Sequence, residues 1–202
     1  GFSHNMHAST MLSPEELKDP SKVAENGMCN TVMEYPAINF ARNKEDQTLY
    51  YDDNPGPYDY WIVEYAYSVG LDNPDAENVR LEEILSKSTS ELLKFGNDAD
   101  DMRSSGKGIN PDVNIYDLSN DPVAYASERC ELVNDLLPGL VDKYANEGSS
   151  YQDLRRAFYN LISEYSIQLR VMTRQIGGVR YNRAGPNNIG NDLPFSPVSK
   201  ED

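Results

Sequence analysis

Histidine and cysteine are scarce in this sequence, with two of each among 202 residues. Two cysteines are too few for a disulfide scaffold, and Cys29 and Cys130 lack the spacing of a zinc site. We expect both to be free, small hydrophobic side chains, with one long-range disulfide as the alternative if the protein is exported. His4 and His7 are the only histidines, so the chain alone cannot supply three histidine ligands to a catalytic metal.

Positive charge and long hydrophobic runs are also in short supply. Lysine and arginine number 18 against 33 aspartates and glutamates, which gives a formal net charge of -15. Nucleic acids and anionic membrane surfaces both attract basic patches, so this balance disfavours them as partners. No apolar run approaches the length needed to span a membrane. With 39% hydrophobic and 25% charged residues, the sequence predicts a soluble globular chain, long enough for one domain with a core.

Two stretches resemble small-ligand sites but lack part of the required pattern. Residues 97–101 are rich in aspartate but lack the glycine at the sixth position of an EF-hand calcium loop. We therefore interpret them as a solvated acidic face. Residues 104–117 contain Gly106 and Gly108, but a phosphate-binding loop would also need a preceding strand and a Gly-Lys-Ser/Thr ending. We interpret this stretch as an ordinary loop.

Most of the remaining chain carries helix signals. Capping residues or turns followed by proline mark several helix starts, and glycine or proline marks the ends. A helical spacing of aromatic residues follows the turn at residues 54–57, and we expect these side chains to pack in the core. Pro138 should kink or break a long helix that starts after Asp121. The predicted helices cover two short segments within residues 13–26, then residues 58–67, 74–87, 122–144 and 151–176.

Two apolar stripes predict that the last helices pack together. The first stripe comprises Ala126, Cys130, Val133, Leu137, Leu140 and Tyr144; the second comprises Tyr151, Leu154, Phe158, Leu161, Tyr165, Leu169, Met172 and Ile176. Their spacing favours a long antiparallel helical hairpin, so the predicted fold class is mainly α. Residues 151–183 carry six basic and two acidic side chains, and this basic segment can complement the acidic body.

Short motifs along the chain, beginning at its first residues, suggest a family. The chain opens with Gly1-x-x-His4-Asn5, and residues 31–35 read Thr-Val-Met-Glu-Tyr. Residues 58–67 read Tyr-Asp-Tyr-Trp-Ile-Val-Glu-Tyr-Ala-Tyr, and an Ile-Gly-Gly-Val run begins at Ile176. The order resembles the end of H-E-x-x-H-x-x-G-x-x-H followed by a Met-turn, which marks the metzincin zinc peptidases. The likeness is to large secreted bacterial members with an EcxA-like zinc-binding domain, and it extends over residues 1–183.

The resemblance implies roles for four residues. His4 would be the third zinc ligand, Gly1 would allow the turn before it, and Met33 would form an apolar floor beneath the metal. Tyr35 would either stabilise the oxyanion of the transition state or only pack. The H-E-x-x-H helix, with two further ligands and the glutamate base, is expected to precede Gly1. His7 has no part in the resemblance, and we expect it to be a surface residue.

The function implied by the resemblance is that of an extracytoplasmic zinc metalloendopeptidase acting on protein or peptide substrates. The preceding part of the catalytic domain would be a partner of this chain. We expect the 202-residue chain alone to be inactive and to hold no stoichiometric Zn²⁺.

The predicted organisation is one domain over residues 1–183, followed by an irregular tail over residues 184–202. Within it, residues 1–70 would form the C-terminal subdomain of the zinc site, and residues 71–183 a helical extension. The alternative function is a non-enzymatic, acidic, helical, extracytoplasmic module that binds a protein or glycan. A third interpretation is an intracellular helical scaffold. An H-E-x-x-H motif in the form H-E-x-x-H-x-x-Gly1 would favour the peptidase over both.

Overall fold

Helices dominate the computed structural model, which describes residues 2–98, 110–146, 148, 150–183 and 193–199. Short 3₁₀ turns lie before and after the first α-helix and again after the third. The six α-helices within these ranges are α1 (Pro20–Asn26), α2 (Pro57–Tyr67), α3 (Pro74–Ser86), α4 (Pro122–Leu136), α5 (Leu140–Tyr144) and α6 (Tyr151–Gln175). None of the helices described here is both long and apolar enough to cross a lipid bilayer.

Local capping chemistry explains where the helices begin. The side chains of Asp19, Asn73 and Asp121 each accept a backbone N–H from the first turn of α1, α3 and α4. Each of these helices also has proline at its first position, where the missing N–H costs nothing. Ser150 caps α6 by accepting the N–H of Gln152. Because caps and prolines act within one turn, the sequence predicts these starts well.

Pro138 separates α4 from α5. The first helix ends at Leu136 and the second begins at Leu140, so the proline breaks the helix rather than kinking it. Both helices pack against α6. Arg129 on α4 forms an ion pair with Glu164 on α6 at 2.8 Å. The Ser127 hydroxyl lies 3.6 Å from the sulfur of Met172.

The buried face of α6 differs from the predicted apolar stripe. Tyr151 and Ile176 are 80% and 83% exposed, whereas Gln168, Val171 and Gln175 are buried. The physical reason is a loop of backbone carbonyls that faces the helix. The Gln168 amide donates to the carbonyl of Tyr116 at 3.0 Å, and other polar side chains of α6 bind the same loop. The helix therefore turns a partly polar face inward, and periodicity alone could not identify it.

Residues 195–197 depart from the predicted irregular tail. Strand β2 (Phe195–Pro197) pairs antiparallel with strand β1 (Val179–Tyr181), and the rings of Tyr181 and Phe195 stack 5.2 Å apart. Most of the other predicted tail residues lie outside the described ranges.

The hydrophobic core lies between the N-terminal turns and α4. Both cysteines are buried and free, and Cys29 belongs to this core. The clustered buried side chains are Leu12, Leu17, Val23, Met28, Cys29, Ala37, Leu118 and Tyr125.

Truncation on opposite faces of α6 should distinguish the observed face from the predicted one. We expect Val171→Ala, which removes two buried methyl groups, to lower the free energy of unfolding by about 2 kcal/mol. Leu169→Ala, at a position that is 43% exposed, should change it by about 0.5 kcal/mol or less. Urea denaturation measures both. A larger loss for Leu169→Ala than for Val171→Ala would contradict this packing.

Candidate functional site

The segment that carries His4 lies directly against the Met-turn. The backbone N–H of Asn5 donates to the carbonyl of Met33 at 3.2 Å. One residue later, the N–H of Met6 donates to the carbonyl of Gly96 at 2.7 Å. These two bonds bring together three segments that are far apart in sequence.

The Asn5 side chain joins two of these segments, the N-terminal segment and the one around Gly96. Asn5 is fully buried, and its amide donates to the carbonyl of Lys94 at 3.0 Å. Its oxygen accepts the N–H groups of Gly96, at 2.9 Å, and His7, at 3.3 Å. A Cβ at Gly96 would collide with the side chain of Val113, so this close approach requires glycine. Asn5 therefore sets where the chain around Gly96 lies relative to His4.

Asp59 holds the Met-turn from the other side. Its buried carboxylate accepts the Thr31 hydroxyl and the N–H groups of Val32, at 2.9 Å, and Gly56, at 2.8 Å. The bond to Gly56 also closes the first turn of α2. The Thr31 oxygen in turn accepts the N–H of Met33 at 3.1 Å. The aromatic helix is thus more than core packing, because one carboxylate links its start to the turn.

His4 lies between an acidic side chain and a tyrosine. Its Nδ1 is 3.0 Å from Oδ2 of Asp98, and its Nε2 is 3.2 Å from the hydroxyl of Tyr35. The His4 and Tyr35 rings meet edge to face, with centroids 4.9 Å apart. A carboxylate only accepts hydrogen bonds, so a neutral His4 carries its proton on Nδ1 and accepts the tyrosine hydroxyl at Nε2. The His4 side chain is 36% exposed, so it is reachable from solvent.

His4 lies beside Tyr35, and the next residue, Asn5, is bonded through its backbone to Met33. Met33 is partly buried and Tyr35 is 48% exposed, so neither side chain lies deep in the core. Gly1, which was expected to shape the turn before His4, lies outside the described residues.

His7 is buried, although the sequence indicated a surface residue. Its N–H bonds to the buried Asn5, and its Nδ1 lies 3.1 Å from the Thr10 hydroxyl. Burial lowers the pKa of His7 below its ordinary value, because the charged imidazolium is poorly solvated there.

Zinc chemistry can be tested against the donors that are present. A histidine whose second ring nitrogen is bonded to a carboxylate is a common arrangement among zinc ligands. His4 therefore fits as one ligand of a zinc site. Over the described ranges, no three side chains of histidine, cysteine, aspartate or glutamate converge as a metal-binding group. A complete site needs further ligands besides His4.

A pair of buried carboxyl groups lies beneath the Met-turn. Glu34 accepts the N–H of Tyr35 at 2.7 Å and that of Ser9 at 3.2 Å. Burial, reinforced by the negative charge of Asp117, raises the pKa of Glu34 to about 9. Burial raises the pKa of Asp117 to about 6. The pKa of Glu34 lies well above that of Asp117, so Glu34 is the member of this pair that keeps its proton at neutral pH.

Sequence reasoning missed three residues of this site. Asp98 belongs to the acidic stretch that we interpreted as a solvated face, and no local signal connects it to His4, 94 positions earlier. The rest of that stretch from residue 99 onward, and Gly106 and Gly108, lie outside the described residues. Asp59 does carry a signal, because it is the third helical residue after Gly56, where a capping acid is expected. Asn5 carries none.

The Asp59 carboxylate should be a large contributor to stability. Asp59→Ala leaves three donors without their acceptor, and we expect the free energy of unfolding to fall by about 3 kcal/mol. Asp59→Asn keeps one acceptor oxygen and should lose less. The exposed Asp53→Ala is the control. Urea denaturation of the three variants measures the differences, and an Asp59→Ala value no larger than the control would contradict the assigned bonds.

Stability should decline with rising pH because of Glu34. Its pKa rises from about 4.5 unfolded to about 9 folded, so the folded state binds more protons across that window and loses stability as pH increases. Above pH 6.5, Asp117 contributes little to the pH dependence of the free energy of unfolding. Each proton that only the folded state binds changes this free energy by at most about 1.4 kcal/mol per pH unit. We expect Glu34→Gln to flatten the decline in melting temperature between about pH 6.5 and 9. Glu91→Gln, at an exposed position, is the control and should show the same decline as wild type. If the melting temperatures of wild type and Glu34→Gln fall equally with pH, Glu34 does not cause the decline.

Comparison with known proteins places the chain in a family. A family model described as Met-zincin matches residues 1–202. Neither curated proteins nor solved structures include a match to the chain. The match spans the His4 segment, the Met-turn and all the helices described above, and the chain belongs to the Met-zincin family.

Proposed function

We propose that this chain is the C-terminal part of the catalytic domain of a zinc metalloendopeptidase, with His4 as the third zinc ligand. The observation that carries the proposal is the position of His4 above the Met-turn, with Nδ1 bonded to Asp98 and Nε2 facing Tyr35. In a neutral imidazole that donates from Nδ1 in this way, Nε2 carries the lone pair that would bind a metal, and here that lone pair accepts the Tyr35 hydroxyl. Bound zinc would activate a water molecule for attack on a peptide carbonyl.

Met33 and Tyr35 have different roles in this proposal. Met33 forms an apolar floor near the metal without bonding to it. Tyr35 stabilises the developing oxyanion through its hydroxyl. Two observations support a role beyond packing for Tyr35: its side chain is 48% exposed, and its hydroxyl is 3.2 Å from the His4 nitrogen that would bind zinc. The backbone of Tyr35 is held by Glu34, which limits where the ring can go.

The remaining parts of the site belong to an H-E-x-x-H segment that precedes Gly1 in this proposal. The 202-residue chain has two histidines, so alone it would hold no stoichiometric zinc and be inactive. Its setting would be extracytoplasmic and its substrates proteins or peptides, as expected of secreted metzincins. The family match favours this function over a non-enzymatic binding module.

The proposed domain covers residues 1–183, with a helical extension from residue 71. An antiparallel hairpin of α4 and α6 would be the main part of that extension. Two contacts support it: Ser127 pairs with Met172 and Arg129 with Glu164, so the order of partners reverses between the helices.

Replacing His4 tests the function directly. In a longer form of the protein that includes the H-E-x-x-H segment, we expect His4→Ala to lose bound zinc and nearly all peptidase activity, because a metal bond is removed. Metal analysis by mass spectrometry and cleavage of a protein substrate measure the two effects. The exposed Asp53→Ala is the control and should keep its zinc. Full zinc content and activity in His4→Ala would refute the proposal.

Tyr35→Phe separates an effect on the transition state from one on metal binding. If the hydroxyl stabilises the oxyanion, kcat should fall by about 10²–10³-fold, the scale of one lost oxyanion donor. Zinc content and KM should stay near normal, since the loss is confined to the transition state. An unchanged kcat would mean that Tyr35 only packs.

A further inference from the structure

A carboxylate distant in sequence is bonded to the proposed zinc ligand. Oδ2 of Asp98 lies 3.0 Å from Nδ1 of His4, and the side chains are 41% and 36% exposed. The other ring nitrogen of His4 faces the Tyr35 hydroxyl, so both nitrogens have a partner on opposite edges of the ring. Because the carboxylate can only accept, its side of the ring must carry the proton.

The contact is held in place by the backbone on both sides. Asn5, next to His4, binds the carbonyl of Lys94 and the N–H of Gly96, and Met6 binds the carbonyl of Gly96. Asp98 follows Gly96 by two residues. The Val113 side chain packs so closely against Gly96 that no side chain fits at this position. The segment that leads to Asp98 is therefore anchored to the segment that carries His4. The contact between Asp98 and His4 is therefore set by fixed backbone positions on both sides.

Exposure indicates what this contact can and cannot do. A pair in which both side chains are more than a third exposed is screened by water and contributes little to folding. A hydrogen bond can still select a tautomer and a ring orientation, because the alternative tautomer would leave Nδ1 without a proton to donate. In metal sites, such outer partners orient the histidine and raise its basicity.

We propose that Asp98 is a positioning residue that keeps His4 in the Nδ1–H tautomer, so that Nε2 presents its lone pair to the metal. The proposal rests on the proposed role of His4 as a zinc ligand. Asp98 itself would not touch the metal or the substrate. Its effect reaches the site through the imidazole ring alone.

The tautomer of His4 can be observed without any metal. The 202-residue chain has two histidines, so ¹H–¹⁵N correlation spectra of the imidazole rings, with His4→Ala for assignment, identify each ring. At pH 8, we expect wild-type His4 to be mainly the Nδ1–H tautomer. Asp98→Ala should lose this preference, whereas Tyr35→Phe and the exposed Asp53→Ala should keep it.

Two results in the spectra would overturn the proposal. One is a wild-type His4 that is mainly Nε2–H. The other is an Asp98→Ala variant whose tautomer is unchanged, which would assign the orienting role to Tyr35 or to the backbone. The melting temperature of Asp98→Ala should differ from wild type by less than about 2–4 °C, so that any change in tautomer is not a consequence of unfolding.

A zinc titration separates this inference from the proposed function. In the longer form with the H-E-x-x-H segment, Asp98→Ala should raise the Kd for zinc by about 10–100-fold, and Asp53→Ala should not change it. An unchanged Kd for Asp98→Ala would overturn the positioning role while leaving His4 as a ligand. A wild-type protein that binds no zinc would instead refute the proposed function, whatever the tautomer of His4.

Discussion

The buried side chain of Asn5 is the constraint on which the arrangement of this site depends. It binds the chain at Lys94 and Gly96, while its backbone N–H binds the Met-turn at Met33. These bonds join the N-terminal segment, the Met-turn and the segment before Asp98 at one point. His4, Tyr35 and Asp98 each project from one of the three segments, so their distances follow from a few fixed backbone positions. A buried amide that uses both its oxygen and its nitrogen in this way cannot shift without leaving a polar group unpaired.

The Met-turn is held on more than one side, as a site that must keep its geometry requires. Asp59 binds the turn from the start of α2, and Glu34 binds the backbone of Tyr35 from below. Burial, and after it the negative charge of Asp117, raise the pKa of Glu34, so this buried carboxyl group is neutral at pH 7. The reactive side chains are more exposed than the groups that hold them, which is the usual division between a rigid support and an accessible site.

The helices extend this support at a distance from the site. Arg174 on α6 donates to the carbonyls of Asn110 and Val113, and Gln168 donates to that of Tyr116. The N–H of Tyr116 in turn donates to the carbonyl of Tyr35 at 2.8 Å. A chain of hydrogen bonds thus runs from the long C-terminal helix to the residue beside His4. This connection explains why the buried face of α6 is rich in polar groups.

The sequence by itself determined the features that depend on a few neighbouring residues. Local signals gave the helix starts at Asp19, Asn73 and Asp121 and the helix break at Pro138. The order of the short motifs around His4 and Met33 gave the family. Only the tertiary structure decided which face of α6 is buried, that His7 is inside, and that Asp98 reaches His4. Those outcomes depend on which backbone carbonyls and carboxylates meet after folding, and a hydrogen bond across 94 residues leaves no periodicity in the sequence.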